Sequence, residues 1–507
     1  MPPLVLPKKD MDPQLVDTQP ASVAAWLERL PYTDLAECGK LLGQGLHQLG
    51  RVPMDPMQRY KLLKLYLKAL DRYYPLLENE AQHGDAVSSP KMRLLAAISV
   101  KLFANLFLAF KQTLNEKLAR HALLEREQPK QELLLYTMMA ARQYLNISQQ
   151  NYYPLPDGFW LDCHQLYGLA LQRGWQDKSL AGDDTLAVIY RQLLLLGLTA
   201  TNRLSTSDMQ LARQLAYDLA KQVELLPLAR LPEGRQGYVL DLREDAPPRY
   251  LPARPSPSQP DCFLLELSGA LASMRKSLAQ LRKTSSGSAS PMLNDEVRLL
   301  SGLAEEWQRP RRRRHSREDA HAQAEVTAGV PAIWHRVNGG SWQPAGADPD
   351  EDGSHLRPPP ASSLLTIANR SESGYLLRGQ PQEQPLRAGE VLLLNLAGEA
   401  RLCAVRWVLM QPAGAEVECG VEILGPQPQP VRAMPSITHS GDSFQRGLRL
   451  PASADAPALL LLPGHPFSQL REFRLRDENG EQLVRVAKLH QQSPHFQLME
   501  YRPSEQF

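Results

Sequence analysis

Cysteine is scarce in this chain: there are five in 507 residues, Cys38, Cys163, Cys262, Cys403 and Cys419. They are odd in number and scattered, and no two form a CxxC pair. Neither a disulfide framework nor a zinc site follows, and isolated buried thiols in a reducing compartment are expected. Excess charge is also missing. The 57 Lys and Arg nearly balance the 55 Asp and Glu, leaving +2. That excludes a surface built throughout to hold nucleic acid and confines any anion-binding role to a local cluster. Long apolar runs are lacking too. The most apolar stretch, Leu94 to Phe110, has Lys101 in its middle. Its uninterrupted runs fall short of the ~20 residues of a membrane span, so a buried helix is expected. The N-terminus shows no secretory signal, and a soluble cytoplasmic protein is the default. Catalytic motifs are missing as well: there is no HExxH, GxSxG or Walker loop. Cys163 and His164 are adjacent, but neighbours on a helix point about 100° apart. They read as structural residues, not a nucleophile and its base.

Proline is plentiful, with 42 residues, and together with the length it implies several domains joined by punctuated segments. Residues 1–20 read as irregular. Residues 21–226 read as helix after helix. Thr33 or Asp34 is placed to cap one helix, and Tyr60, Leu63, Leu67 and Leu70 lie on one face of the next. Short loops between the helices imply an all-α bundle or short solenoid. Residues 227–308 form a proline-rich connector with helices, in which GYVLDLRE (237–244) suits a strand.

Beyond Glu318 the period changes. AEVTAG, AIWHRV, SLLTIAN, GYLLRG, EVLLLNL, RLCAVRWVLM and AEVECGVEIL are short strand-like runs, most of them separated by Gly, Pro, Asn or Asp. They imply an antiparallel β-barrel or sandwich over 309–430. A β extension follows over 431–507, with ALLLLPG, FRLR, QLVRVAK and FQLMEY as strands. Asp477 to Gly480 form the turn of a hairpin. The fold class is therefore α+β multidomain, a helical N-terminal region followed by a barrel with a β tail.

Two features carry chemistry. Arg309 to Arg317 holds six arginines in nine residues, at the junction of helix and β regions. Guanidinium offers planar, forked donors that suit phosphate oxygens and the guanine O6/N7 edge. Alone, the run equally fits a solvated or generic polyanion-binding segment. The second feature is NRSESG (369–374). Asn369 and Ser371 alternate by two, so on a strand they share a face, and an amide beside a hydroxyl can read a guanine edge. Gly374 permits a positive φ or a close backbone approach.

Together these features resemble the PilZ family. RxxxR is Arg313-Arg314-His315-Ser316-Arg317, ahead of the first barrel strand, and [D/N]xSxxG is Asn369 to Gly374 on a later strand. Gly420 to Ile423 resembles that domain's closing strand, and Trp407 suits a barrel wall. The resemblance covers 309–430. It implies a small β-barrel that binds cyclic di-GMP, with no further cofactor and no metal. Arg313 and Arg317 would clamp phosphates and a guanine Hoogsteen edge, Asn369 and Ser371 would contact a guanine, and Gly374 would shape the turn. Arg312 and Arg314 are candidate auxiliaries. The segment 339–360 is an acidic, Gly- and Pro-rich insertion that lengthens the spacing usual between the two motifs.

The long N-terminal region resembles bacterial effectors of motility and surface attachment, including the flagellar-brake, type IV pilus and FimW-like groups. By that resemblance the chain is a receptor and not an enzyme, and its α-helical region meets a protein partner. Two alternatives stand beside it: a helical scaffold with a structural barrel, or nucleic-acid binding through the arginine run.

Overall fold

The computed structural model describes residues 4, 6–83, 89–120, 126–179, 184–230, 236–251, 261–285, 291–310, 316–343, 358–380, 386–411, 416–437, 443–453, 456–464, 466–467 and 470–504. The N-terminal region is built from α1 (Pro20–Glu28), α2 (Leu35–Arg51), α3 (Pro56–His83), α4 (Pro90–Ala119), α5 (Gln128–Gln150), α6 (Phe159–Arg173), α7 (Leu186–Leu198) and α8 (Thr206–Leu219). Their starts follow from local chemistry. Asp34, Thr185 and Ser205 each accept a backbone N–H three residues on, capping α2, α7 and α8.

These helices enclose one contiguous core, as in a bundle. The apolar stretch of α4 lies at its centre, between α2, α3 and α5. By length and composition this helix could cross a membrane, but its apolar window is mostly packed inside the protein. In α2, Gly43 and Gly50 lie against the backbone of α4. A Cβ on either would sit 3.6 Å from the Cα of Leu102 or Ala109, so a larger side chain would push the two helices apart.

The proline-rich stretch supplies a small antiparallel sheet of β1 (Glu224–Pro227), β2 (Gly237–Asp241), β3 (Arg249–Leu251) and β4 (Cys262–Glu266), in the order β1-β4-β2-β3. Two helices follow, α9 (Ser268–Ser285) and α10 (Pro291–Gln308). Tyr238, Leu240, Leu265, Met274 and Trp307 all enter the core of the helical bundle. α10 is held by the Trp307 indole donating to Thr199 Oγ1 at 3.2 Å and by Arg298 paired with Asp208 at 2.7 Å.

Next come β5 (Glu318–Ala328), α11 (Val330–Val337), β6 (Ser363–Ser371), β7 (Gly374–Gly379), β8 (Val391–Leu396), β9 (Glu399–Met410) and β10 (Val417–Pro426). The strands close as a barrel in the order β10-β7-β6-β5-β8-β9. AIWHRV was expected to be a strand and is the helix α11. Gly329, at φ 86°, turns the chain out of β5, and Pro331 opens the helix. Val330, Ile333, Trp334 and Val337 then fall at spacings of three and four and pack on one apolar cluster.

The tail adds β11 (Gln429–Pro435), β12 (Gln445–Leu450), β13 (Leu459–Pro463), β14 (Glu472–Asp477), β15 (Gly480–Gln492) and β16 (Phe496–Pro503). It closes on itself as a second six-stranded barrel, β11-β12-β13-β16-β15-β14, and is more than an extension of the first. The expected hairpin is present: Asp477 pairs with Gly480, whose φ is 120°. α11 and the outer faces of both barrels share one apolar cluster, and the Trp334 indole donates to the Val431 carbonyl at 3.0 Å.

Candidate functional site

The arginine run leaves α10 at Arg309 and reaches β5 at Glu318. Arg312, Arg313 and Arg314 lie outside the described residues. Arg317 is described and exposed, directly ahead of β5. Glu318 pairs with Arg370 and Asp319 with Asn369 in the β5–β6 ladder. The run therefore enters the first barrel beside the end of β6 that carries Asn369 and Ser371. Residues more than fifty positions apart in sequence are brought to one corner.

The orientation of that corner depends on a β-bulge. Leu365 and Ile367 are buried in the barrel interior. Unbroken alternation would put Asn369 and Ser371 on the same inward side. The β6–β7 register shifts between Ile367 and Asn369: Ile367 pairs with Leu377, but Asn369 pairs with Leu376 and Ser371 with Gly374. Leu377 is interior, so Leu376, its neighbour, faces out and Asn369 and Ser371 face out with it. Glu372 and Ser373 make the two-residue turn, and Ser371 Oγ donates to the Gly374 carbonyl at 3.3 Å.

Gly374 is required for close approach and not for a positive φ, which it does not adopt. A Cβ there would lie 2.0 Å from the Val421 carbonyl oxygen on β10. The register continues outward from Asn369 to Leu376, then to Gly420, then to Trp407, across four neighbouring strands. The indole of Trp407 lies on Gly420, where a Cβ would be 2.0 Å from its Nε1. Sequence reasoning took Trp407 as wall. Its pairing across Gly420 sets it on the same outer face as Asn369.

The described charges around the hairpin are largely matched. Arg370 pairs with Glu318 at 3.2 Å, Arg401 with Glu399 at 3.2 Å, and Arg406 with Glu422. Among the described residues Arg317 has no ion pair. Positive potential at this corner must therefore come from the arginine run.

Sequence reasoning reads the pair Tyr152-Tyr153 as packing residues and misses that Tyr152 links the two halves. It sits in the loop between α5 and α6 at φ 58°. Its carbonyl accepts Met410 N–H at 2.8 Å and its hydroxyl donates to the Leu204 carbonyl at 2.8 Å. Its side chain packs in the core of the first barrel.

The nearby Cys163 and His164 do not form a dyad. His164 Nε2 lies 2.9 Å from the Ala246 carbonyl and Nδ1 lies 2.7 Å from the Tyr190 hydroxyl. A carbonyl only accepts, so Nε2 carries the proton and Nδ1 accepts from Tyr190. Burial lowers the His164 pKa and raises that of the Cys163 thiol well above its ordinary range.

Comparison with known proteins places the chain. Residues 21–230 match the family model described as Cyclic-di-GMP receptor FimW, N-terminal domain. Residues 431–504 match the FimW C-terminal beta-barrel domain. The first barrel lies between these two matches. Cyclic-di-GMP receptor FimW of Pseudomonas aeruginosa is 23% identical over an alignment covering 96% of this chain and 91% of that protein. No solved structure matches. With both of the family's named domains in order and a full-length relative aligned, the chain belongs to the FimW family.

Proposed function

We propose that this chain is a cyclic-di-GMP receptor, a binding protein and not an enzyme, and that its first barrel is a PilZ-type domain. The observation that carries the reading is the β5–β6 register, which sets the end of the arginine run beside Asn369 and Ser371. The relative's name, a cyclic-di-GMP receptor, supports it.

In this reading Arg313 and Arg317 take the ligand's phosphates and a guanine Hoogsteen edge by charge-assisted, forked bonds. Asn369 and Ser371 offer an amide and a hydroxyl to a guanine on the outer wall. Gly374 keeps that wall flat by letting β7 meet β10. Arg312 and Arg314 are auxiliaries.

The run joins α10, fixed in the helical core by Trp307, to the first strand of the barrel. A ligand gripped by it contacts both halves of the protein and changes how they meet. The helical region then carries the signal to a protein partner. The setting in this reading is bacterial surface attachment or motility, as the resemblance to long PilZ effectors implies, and the compartment is the cytoplasm. Nucleic acid is not the ligand of this site.

Calorimetric titration with cyclic di-GMP, beside GTP and cyclic di-AMP, tests the reading. Selective binding of cyclic di-GMP is expected, and Arg313→Ala/Arg317→Ala should abolish it. Each lost contact costs about 1–3 kcal/mol, roughly 5- to 150-fold in affinity. No binding by the wild-type chain would leave the first barrel a structural module.

A further inference from the structure

The outer wall of the second barrel carries an arginine–aromatic face that the cyclic-di-GMP reading does not use. Val431, Ala433, Phe473 and Leu475 fill the barrel interior. The alternating residues Arg432, Met434, Arg474 and Arg476 therefore face outward. Arg432 stands directly opposite Arg446 of β12 on one side and Arg476 of β14 on the other. Like charges directly opposite each other across antiparallel strands are destabilising, so barrel stability alone does not account for the row.

Phe444, immediately before β12, gathers three of these side chains. The guanidinium carbons of Arg432, Arg474 and Arg476 lie 6.0, 5.7 and 4.4 Å from its ring centroid. Arg474 and Arg476 share one carboxylate, Glu481, at 3.6 and 3.0 Å. Among the described residues Arg432 has no ion pair. Just past β11, Ile437 is 79% exposed. The face thus combines guanidinia in excess of carboxylates with an apolar centre.

We propose that this face docks an acidic segment of a protein partner, with its carboxylates held by Arg432 and Arg476 and an apolar residue set against Phe444. Two features favour a protein segment over nucleic acid. The arginine row spans three strands, about 10 Å at the usual strand spacing, too short a track for a phosphate backbone. The apolar centre suits a side chain. The barrel is closed and offers no free edge, so the segment is recognised through side chains and not by adding a strand.

Fluorescence anisotropy on the full chain at low salt, with a labelled peptide rich in Glu and Phe and in parallel a labelled oligothymidylate, tests the proposal. Binding of the peptide is expected. Arg432→Gln/Arg476→Gln should weaken it by about 100-fold, near 10-fold per charge-assisted contact. The variant's melting temperature and its cyclic-di-GMP titration should match wild type. The proposal is overturned if the peptide fails to bind, if the variant binds it equally well, or if the oligonucleotide is preferred. It is also overturned if the variant melts lower or loses cyclic di-GMP.

Discussion

Glu318 meets Arg370 twice, as its partner in the β5–β6 ladder and as an ion pair at 3.2 Å. The two side chains stay 72% and 64% exposed. Such a pair is worth about 0–1 kcal/mol, so Arg370→Ala should barely change the denaturation midpoint. Arg370 lies between Asn369 and Ser371 on the strand, on the opposite face. In a cyclic-di-GMP titration Asn369→Ala should lose roughly 5- to 150-fold in affinity, and Arg370→Ala much less. Equal losses would sink the assignment of the outer face.

Gly374→Ala tests the contact between β7 and β10. The added Cβ meets a backbone oxygen at 2.0 Å, which cannot rotate away as a side chain would. A loss of about 1–3 kcal/mol is expected, read as a lower melting temperature. An unchanged melting temperature would mean that the two strands are not held so closely.

Lys111 and Asp162 form an ion pair buried inside the helical bundle, their side chains 3% and 5% exposed. Lys111→Met leaves the Asp162 charge uncompensated and should cost about 3–5 kcal/mol in urea unfolding. Lys111→Met/Asp162→Leu removes both charges and should recover most of that loss. A double variant as unstable as the single one would contradict the account.

His164 makes stability pH-dependent. Burial lowers its pKa in the folded state, so the unfolded chain binds a proton more readily. Unfolding is favoured as pH falls below the unfolded value of about 6.5, and the penalty grows until the folded pKa is reached. Above that range this residue adds no pH dependence. The slope from one such group is at most about 1.4 kcal/mol per pH unit. Melting temperatures between mildly acidic and neutral pH should fall less steeply for His164→Gln than for wild type. Parallel profiles would show that other groups set the acid limb.

Much of the architecture was legible because it rests on local patterns. Apolar spacings of three and four marked the helices, and Thr33 or Asp34 marked the start of α2, with the structure deciding for Asp34. The change of period after Glu318 marked the β region. AIWHRV was misread because a short apolar run does not separate strand from helix. Only the turn at Gly329, Pro331 and the apolar cluster beneath Trp334 decide for helix. The strands QPVRAM and GLRL escaped notice because each is short and interrupted by an arginine. Only the barrel shows that Arg432 faces outward, while Arg449 lies on the inner side, opposite Leu460 and paired with Asp477 at 2.9 Å.

The sequence by itself determined which residue types stand where in the candidate site: an arginine run before a strand, and an amide, a hydroxyl and a glycine at fixed spacing. Those choices are local and survive any packing. It could not determine the face they occupy. Period-two alternation would have buried Asn369 with Ile367, and the bulge that turns it outward exists only relative to a partner strand. Closure of the tail into a second barrel and the lining-up of Arg446, Arg432 and Arg476 likewise needed tertiary structure. Register is a relation between distant segments, and no single segment encodes it.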